Sequence, residues 1–498
     1  MTYPLEFPPS TSRLRVRLGL AVLTFLSTCD APVRSAEDAA QAPAVDVSRP
    51  PNILVILSDD MGWAQLGFQG GKDVPTPHLD RLAREGVRLT QFYVQAVCSP
   101  TRAALMTGRY PFRNGMEERT HGRDTAGMLT DERTLAQALK MAGYSTAIFG
   151  KWHLGSWHKK HLPLQRGFDH QYGHYGAVID SFTHERGGVL DWHRNERPLD
   201  EPGYSSFLIA DEFARVLDAH DPARPFFYYV PFNAVHGPHD APPEYVEKHR
   251  GDRQHAMLEC MDVSIGRMLA ALDRKGVLAN TLVVYFNDNG GPRRIGNAPL
   301  RGYKGGTYEG GVRVPCVLRW PGRIEAGTTS DALLHAVDLY PTLVRLAGGS
   351  LDQPLALDGK DAWGAMTRGE PSPHDEIVLS VPGFAASETG PPAIRVGDFK
   401  LINDELYDVR RDPYEKEDLA ARHADRVRAM KARLDALARE RRQPEAHGRI
   451  GVSPLPVLGE EENRPPLPEW LRKRAGEGRK PPAASKTARN KRRDRRAR

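Results

Sequence analysis

The chain has 498 residues, more than one small domain needs and enough for one large unit with an accessory. Hydrophobic residues make up 40% and charged residues 27%, which excludes full-length disorder, and four cysteines without a C-x-x-C pair exclude a disulfide scaffold or a thiolate zinc site. The formal net charge of +6 suits a polyanion binder only if the positive charge lies on the folded body.

Arg13, Arg15 and Arg17 precede the apolar run Leu18 to Leu26. That run is too short to span a bilayer, which takes about 20 apolar residues, and it reads as a secretory signal within residues 1–36. Two endings stay open: Leu26-Ser27-Thr28-Cys29 resembles a bacterial lipobox, which would anchor the chain through lipidated Cys29, and ordinary cleavage somewhere between Thr28 and Ala36 would release it. The protein is therefore expected to be exported, periplasmic or secreted. No later apolar segment is long enough for a transmembrane span. The Ala/Pro-rich residues 37–50 read as a linker.

Asn52 to Leu57 is a continuous apolar run, as expected of a strand buried on both faces of a sheet. It ends in Ser58-Asp59-Asp60. A helix follows over Thr76–Glu85, with Thr76 as N-cap and Pro77 at its first position. Thr134–Ala142 reads as helix and Tyr144–Phe149 as strand, leading into Lys151 and His153. The strand Pro225–Val230 leads into Asn233 and His236, and the helix Met257–Lys275 precedes the strand Thr281–Phe286, which ends at Asp288-Asn289. The alternation predicts an α/β fold, a large mixed sheet covered by helices on both faces, over residues 51–370. Residues 371–442 read as a smaller C-terminal α+β domain, with strands over Glu376–Val381, Ala393–Asn403 and Glu405–Asp408 and a helix over Ala424–Arg441. Residues 443–498 read as a disordered basic tail.

In open α/β sheets the ligand crevice lies outside the carboxyl ends of the strands. Four strand ends here supply Asp59 and Asp60, Lys151 and His153, His236, and Asp288 and Asn289. One acidic residue after a strand is usually a turn former; four polar clusters are harder to read as turns. Between them lies Cys98-Ser99-Pro100-Thr101-Arg102, which places Cys98 at a helix N-terminus, where an anion or anionic transition state is favoured. A thiolate nucleophile is the first reading of Cys98. A cysteine phosphatase would want an arginine six positions on, and that position is Ala104.

The Cys-x-Pro-Ser/Thr-Arg run followed by Thr107-Gly108 instead resembles the sulfatase signature. Gly150-Lys151-Trp152-His153, Asp288-Asn289-Gly290-Gly291, Leu300 through Lys304, Glu309 through Arg313 and Leu406-Tyr407-Asp408 are similar to further motifs of that family, so the likeness covers roughly residues 50 to 440. Asn297-Ala298-Pro299-Leu300-Arg301-Gly302-Tyr303-Lys304 and Ser181, His184, Glu185 and Arg186 look closest to arylsulfatase B-type members. The resemblance implies an alkaline phosphatase-like fold and a sulfuric ester hydrolase of arylsulfatase type. It implies oxidation of Cys98 to formylglycine by a formylglycine-generating enzyme, and attack on sulfur by the hydrated aldehyde. One Ca²⁺ would be held by Asp59, Asp60, Asp288, Asn289 and residue 98, all hard oxygen donors once residue 98 is modified. Arg102 would steady residue 98, Lys151 and Lys304 would hold sulfate oxygens, His236 would protonate the leaving oxygen, and His153 would take the proton that lets the intermediate collapse.

Asp180, His184, Asp191, Trp192, Arg194 and Asn195 combine polar side chains with an aromatic face, which suits recognition of a sulfated carbohydrate; structural use is the equal alternative. His239 reads as loop structure. Cys260 and Cys316 read as core thiols, with a mutual disulfide left open. The stretch Trp152, Trp157, His158, Lys159, Lys160, His161 either lines the pocket mouth or forms a solvated loop. Two other functions stay open, a phosphatase or phosphodiesterase of the same superfamily and a non-catalytic sulfated-glycan binder. Nucleic acid is not an expected partner of the folded body, because residues 472–498 carry net +11 and residues 1–29 net +2, leaving −7 for residues 30–471; the basic tail reads as solvated, with a tether to an anionic polymer or surface left open.

Overall fold

The computed structural model describes residues 49–118, 126–186, 188–383 and 390–444. The signal segment with Cys29, the linker up to residue 48 and the basic tail from residue 445 lie outside the described residues. A ten-stranded mixed sheet forms the centre. Its strand Asn52–Ser58 is buried at all seven positions and lies between Phe226–Pro231 and Thr281–Asn287, parallel to both. Ser145–Phe149 pairs in parallel on the far side of Phe226–Pro231. Strand side chains alternate between faces. Accordingly Ile53, Val55 and Leu57 join one apolar core and Leu54 and Ile56 the other, which is why this strand reads as an unbroken apolar run.

Helices cover both faces. On one side Cys98–Thr107 lies with every residue buried, and on the other Ser205–Ala219 contacts Arg253–Arg274. Thr134 caps the helix Leu135–Met141 through a reciprocal capping box with Gln137. The expected cap by Thr76 is not made. Instead Asp262, on the neighbouring long helix, accepts from the backbone N–H groups of His78 and Leu79 at 3.2 and 2.9 Å.

A separate four-stranded antiparallel sheet runs Glu376–Ser380, Ala393–Val396, Phe399–Ile402, Glu405–Asp408. The expected single strand over residues 393–403 is in fact a hairpin. The chain turns at Gly397, whose φ of 55° costs glycine nothing. The helix Ala424–Ala438 covers this sheet, and Ala104 and Tyr110 of the large body share its core with Ile394, Leu401 and Leu434. Among the described residues no helix is long and apolar enough to cross a membrane. Cys98, Cys260 and Cys316 are free and buried, so the Cys260–Cys316 disulfide does not form.

Candidate active site

The parallel register brings the four predicted strand ends side by side. Ser58 lies opposite Asn287 and Leu57 opposite Pro231, so Asp59, Asp288 and the loop to His236 emerge together. Backbone bonds fix each loop. Asp288 N–H donates to Ser58 O, Asp59 N–H to Ala234 O and Val235 N–H to Asp59 O. The Lys151 loop is laced to its neighbours on both sides: Lys151 N–H reaches Pro231 O at 2.7 Å, Trp152 N–H reaches His174 O and His153 N–H reaches Tyr175 O. Gly150 makes the approach possible, since its φ is 129° and a Cβ there would sit 2.0 Å from Pro231 O.

Two buried cations, Arg102 and Lys151, and the partly buried Lys304 face three buried carboxylates. Arg102 donates from Nη2 to Asp59 Oδ2 at 3.0 Å and to Asp288 Oδ2 at 2.7 Å, from Nε to Asp288 Oδ2 at 3.2 Å, and from Nη1 to Lys151 O. Lys151 Nζ donates to Asp59 Oδ2, and Lys304 Nζ pairs with Asp60 Oδ1. His236 Nε2 lies 3.4 Å from Asp60 Oδ2, while its Nδ1 lies 2.6 Å from Gly237 O. Burial alone would raise the Asp59 carboxyl, but Lys151, His236, Arg102 and Lys304 outweigh it and hold the group well below the usual carboxylate range. Burial and the adjacent Asp59 charge push Asp288 up to about 6. Burial lowers His236 against the pull of Asp59 and Asp60.

The cluster has room, in chemical terms, for a cation. Asp59 Oδ1 and Asn289 Oδ1 are buried and have no hydrogen-bond partner. Such an atom costs about 1–3 kcal/mol unless something satisfies it. Ligand atoms of Asp59, Asp60 and His236 lie within 4.8 Å of one another. The donors are mainly oxygens, which suits a hard divalent ion such as Ca²⁺. Asp288, the further carboxylate expected to bind it, accepts from Arg102 through Oδ2 and from the Asp60 N–H through Oδ1, and Oδ1 keeps a lone pair for a cation.

Cys98 opens its helix and is 1% exposed. Burial pushes its thiol up, and Lys151 and Lys304 offset this only in part. A thiol held protonated is a poor nucleophile, which weighs against the thiolate reading. The charges acting on it are Lys151, Lys304, Asp59 and Asp288, so the nucleophile position and the charged cluster form one site.

A model of the sulfatase family matches residues 51–350. The chain belongs to the sulfatase family. A second model, N-sulphoglucosamine sulphohydrolase C-terminal, matches residues 304–440. Arylsulfatase J of Mus musculus is 33% identical over 449 residues, which cover 77% of this chain and 75% of that protein. Steryl-sulfatase of Mus musculus is 32% identical over 529 residues, covering 80% and 83%. Among solved structures, Ps i-CgsB in complex with k-i-k-neocarrahexaose has a TM-score of 0.74 at 30% identity, covering 80% of this chain and 95% of that one. The protein is a sulfuric ester hydrolase with the sulfatase fold.

Most of the predicted sugar-recognition set of this sulfatase is spent on structure. Trp192 is fully buried and His184 stacks on it with centroids 4.5 Å apart. Arg194 makes a two-pronged bond to Glu212, and Asp191 accepts from the N–H groups of Tyr175 and Gly176. Asp180 Oδ1 accepts two N–H bonds from its own turn, at Phe182 and Thr183, and Asn195 Oδ1 accepts from Gln171 N–H. Of the neighbouring aromatic-basic stretch, Trp152 and His161 are buried, with Trp152 Nε1 donating to His161 O, while Lys159 is exposed and pairs with Glu196. His239 is exposed in its loop, as expected. Tyr229 and His174 were not foreseen. Tyr229 is buried beside Arg102, and His174 is fully buried behind the Lys151 loop, its pKa lowered to about 3 by burial.

Proposed function

We propose that this sulfatase hydrolyses sulfate esters on a sulfated saccharide, with residue 98 working as formylglycine and one Ca²⁺ in the oxygen cluster. The observation that carries the reading is the single buried site in which Cys98, Arg102, Lys151 and Lys304 meet Asp59, Asp60 and Asp288. Three carboxylates against three cations are neutral as they stand. A divalent ion would leave net +2, which favours a sulfate ester anion.

When present, the ion would be held by Asp59, Asp60, Asp288, Asn289 and the modified residue 98, and would supply positive charge where the attacking oxygen forms. The aldehyde at position 98 supplies a nucleophile, as its hydrate, that a buried thiol does not. Lys151 and Lys304 bind and orient the sulfate oxygens and stabilise their growing charge. Arg102 keeps Asp59 and Asp288 ionised and supports the Lys151 backbone. His236, with a fifth of its side chain exposed, stands at the open side and delivers a proton from Nε2 to the leaving oxygen. His153, held in a left-handed backbone at φ 58°, takes the proton whose removal regenerates the aldehyde.

The saccharide is inferred from the oligosaccharide bound to Ps i-CgsB. The arylsulfatase B-type assignment, export through residues 1–36 to the periplasm or exterior, an anchor at Cys29, maturation by a formylglycine-generating enzyme and the boundaries 51–370 and 371–442 belong to the same reading. A panel of aryl sulfate, aryl phosphate and defined sulfated saccharides tests it. Release of sulfate from a saccharide faster than from the aryl ester is expected. Turnover of the phosphate alone would overturn it.

A further inference from the structure

The antiparallel sheet at the C-terminal end contributes no residue to the charged cluster described above. One of its lysines is nevertheless fully buried against the loop that carries Lys304. Lys400 Nζ bonds Glu309 Oε1 at 2.8 Å and Glu415 Oε1 at 2.9 Å, and all three side chains have zero exposure. Glu415 Oε2 also accepts the Glu309 backbone N–H at 2.8 Å. On its other side Glu309 Oε2 accepts from Tyr93 Oη at 2.8 Å and pairs with Arg313 at 3.3 Å. A charged group taken out of water this completely is tolerated only when its partners are fixed.

Glu309 sits where the site loop is tied together. Gly290, next to Asn289, donates its N–H to Gly311 O at 2.9 Å, and Lys304 N–H donates to Gly291 O at 3.0 Å. Gly305 N–H donates to Ala96 O, two residues before Cys98, and Gly310 N–H to Arg301 O. The contact leaves no slack, because a Cβ on Gly290 would meet Gly310 O at 1.8 Å. A shift of Glu309 therefore moves Gly310 and Gly311, and with them Asn289 and Lys304.

We propose that Lys400 and Glu415 are positioning residues for the sulfate site, acting through Glu309 on Lys304 and Asn289. The C-terminal sheet is then a strut that sets the grip on the sulfate group, and this rests on the sulfatase function proposed above. The triad joins segments more than ninety residues apart, 309 to 400. Loss of the Lys400 ammonium leaves the buried Glu309 and Glu415 carboxylates facing each other with no cation between them, Arg313 remaining only on the far side of Glu309, which drives the Glu309 loop away from Glu415.

Lys400→Met, Lys400→Arg and Glu415→Gln test this, with KM for an aryl sulfate and Ki for inorganic sulfate taken per folded molecule. Lys400→Met is expected to raise both by about tenfold or more, with kcat moved less, and Lys400→Arg to recover part of the loss. Glu415→Gln keeps the acceptor for the Glu309 N–H, and carries the test if Lys400→Met does not fold. A lowered Tm with KM and Ki unchanged in the variants overturns the strut and leaves the sulfatase reading intact. A wild-type enzyme without sulfate-ester turnover defeats that reading itself.

Discussion

Removing the Arg102 side chain should reveal how the charged cluster is balanced. Arg102→Met keeps the apolar stem and deletes a guanidinium that makes four hydrogen bonds with no exposure. Asp59 retains Lys151, but Asp288 loses its ion-pair partner and keeps only the Asp60 N–H. Breaking a buried pair by deleting one member costs about 3–5 kcal/mol. Protonation limits the loss here. Asp288 already lies at about 6 with Arg102 in place, and without it the carboxyl takes up a proton near neutrality. The expected cost is therefore at the lower end, about 3 kcal/mol. Urea unfolding at neutral pH in a chelator measures it. The same titration at a Ca²⁺ concentration of about 100 times Kd should stabilise the wild type by about 2.7 kcal/mol. A chelated variant that loses under about 1 kcal/mol, the value of an exposed pair, would refute the argument.

Cys98→Ala should abolish aryl-sulfate turnover and cost under about 2 kcal/mol of stability, since the helix favours alanine; an active variant would refute the assigned role. Trp192→Ala should destabilise by about 3–5 kcal/mol, because the indole is fully buried between His184 and Tyr172. A changed KM at unchanged stability would return Trp192 to the sugar site. Asp262 is pushed up to about 7 by burial, against the bonds from Leu79 and His78. A carboxyl raised above its unfolded value contributes stability below that value and loses it as pH rises through the folded one. The wild-type urea midpoint should thus fall between about pH 6 and about pH 8 more than that of Asp262→Asn, and equal slopes would exclude Asp262 as the source.

The site was legible in the sequence to the extent that it sits at strand ends. Asn52–Ser58 and Thr281–Asn287 are buried on both faces and apolar through their interiors, so the polar residues at their ends stand out against the run. The motif around Cys98 is local for the same reason, being one helix start. What depends on packing between distant segments was hidden. Trp192 and His184 have the same composition whether they line a pocket or stack on each other beneath the surface. Lys400 and Glu415 look like surface charges along the chain, and only the approach of Glu309 makes them buried partners. Asp262 lies on a helix among Leu258, Met261 and Ile265, where its charge is unusual, but the helix start it caps lies 183 residues earlier. The hairpin at Gly397 is marked in the sequence only by Gly397-Asp398, a two-residue break between short apolar stretches.

Sulfate-ester hydrolysis here turns on residue 98 working as an aldehyde within a charge cluster built to hold a sulfate ester. Mass spectrometry of the peptide bearing residue 98, from protein made in its native host, measures this most directly when paired with turnover on the same sample. Loss of the thiol and gain of an aldehyde are expected, with activity rising in proportion to the converted fraction. Fully active protein whose residue 98 is unmodified cysteine would contradict it.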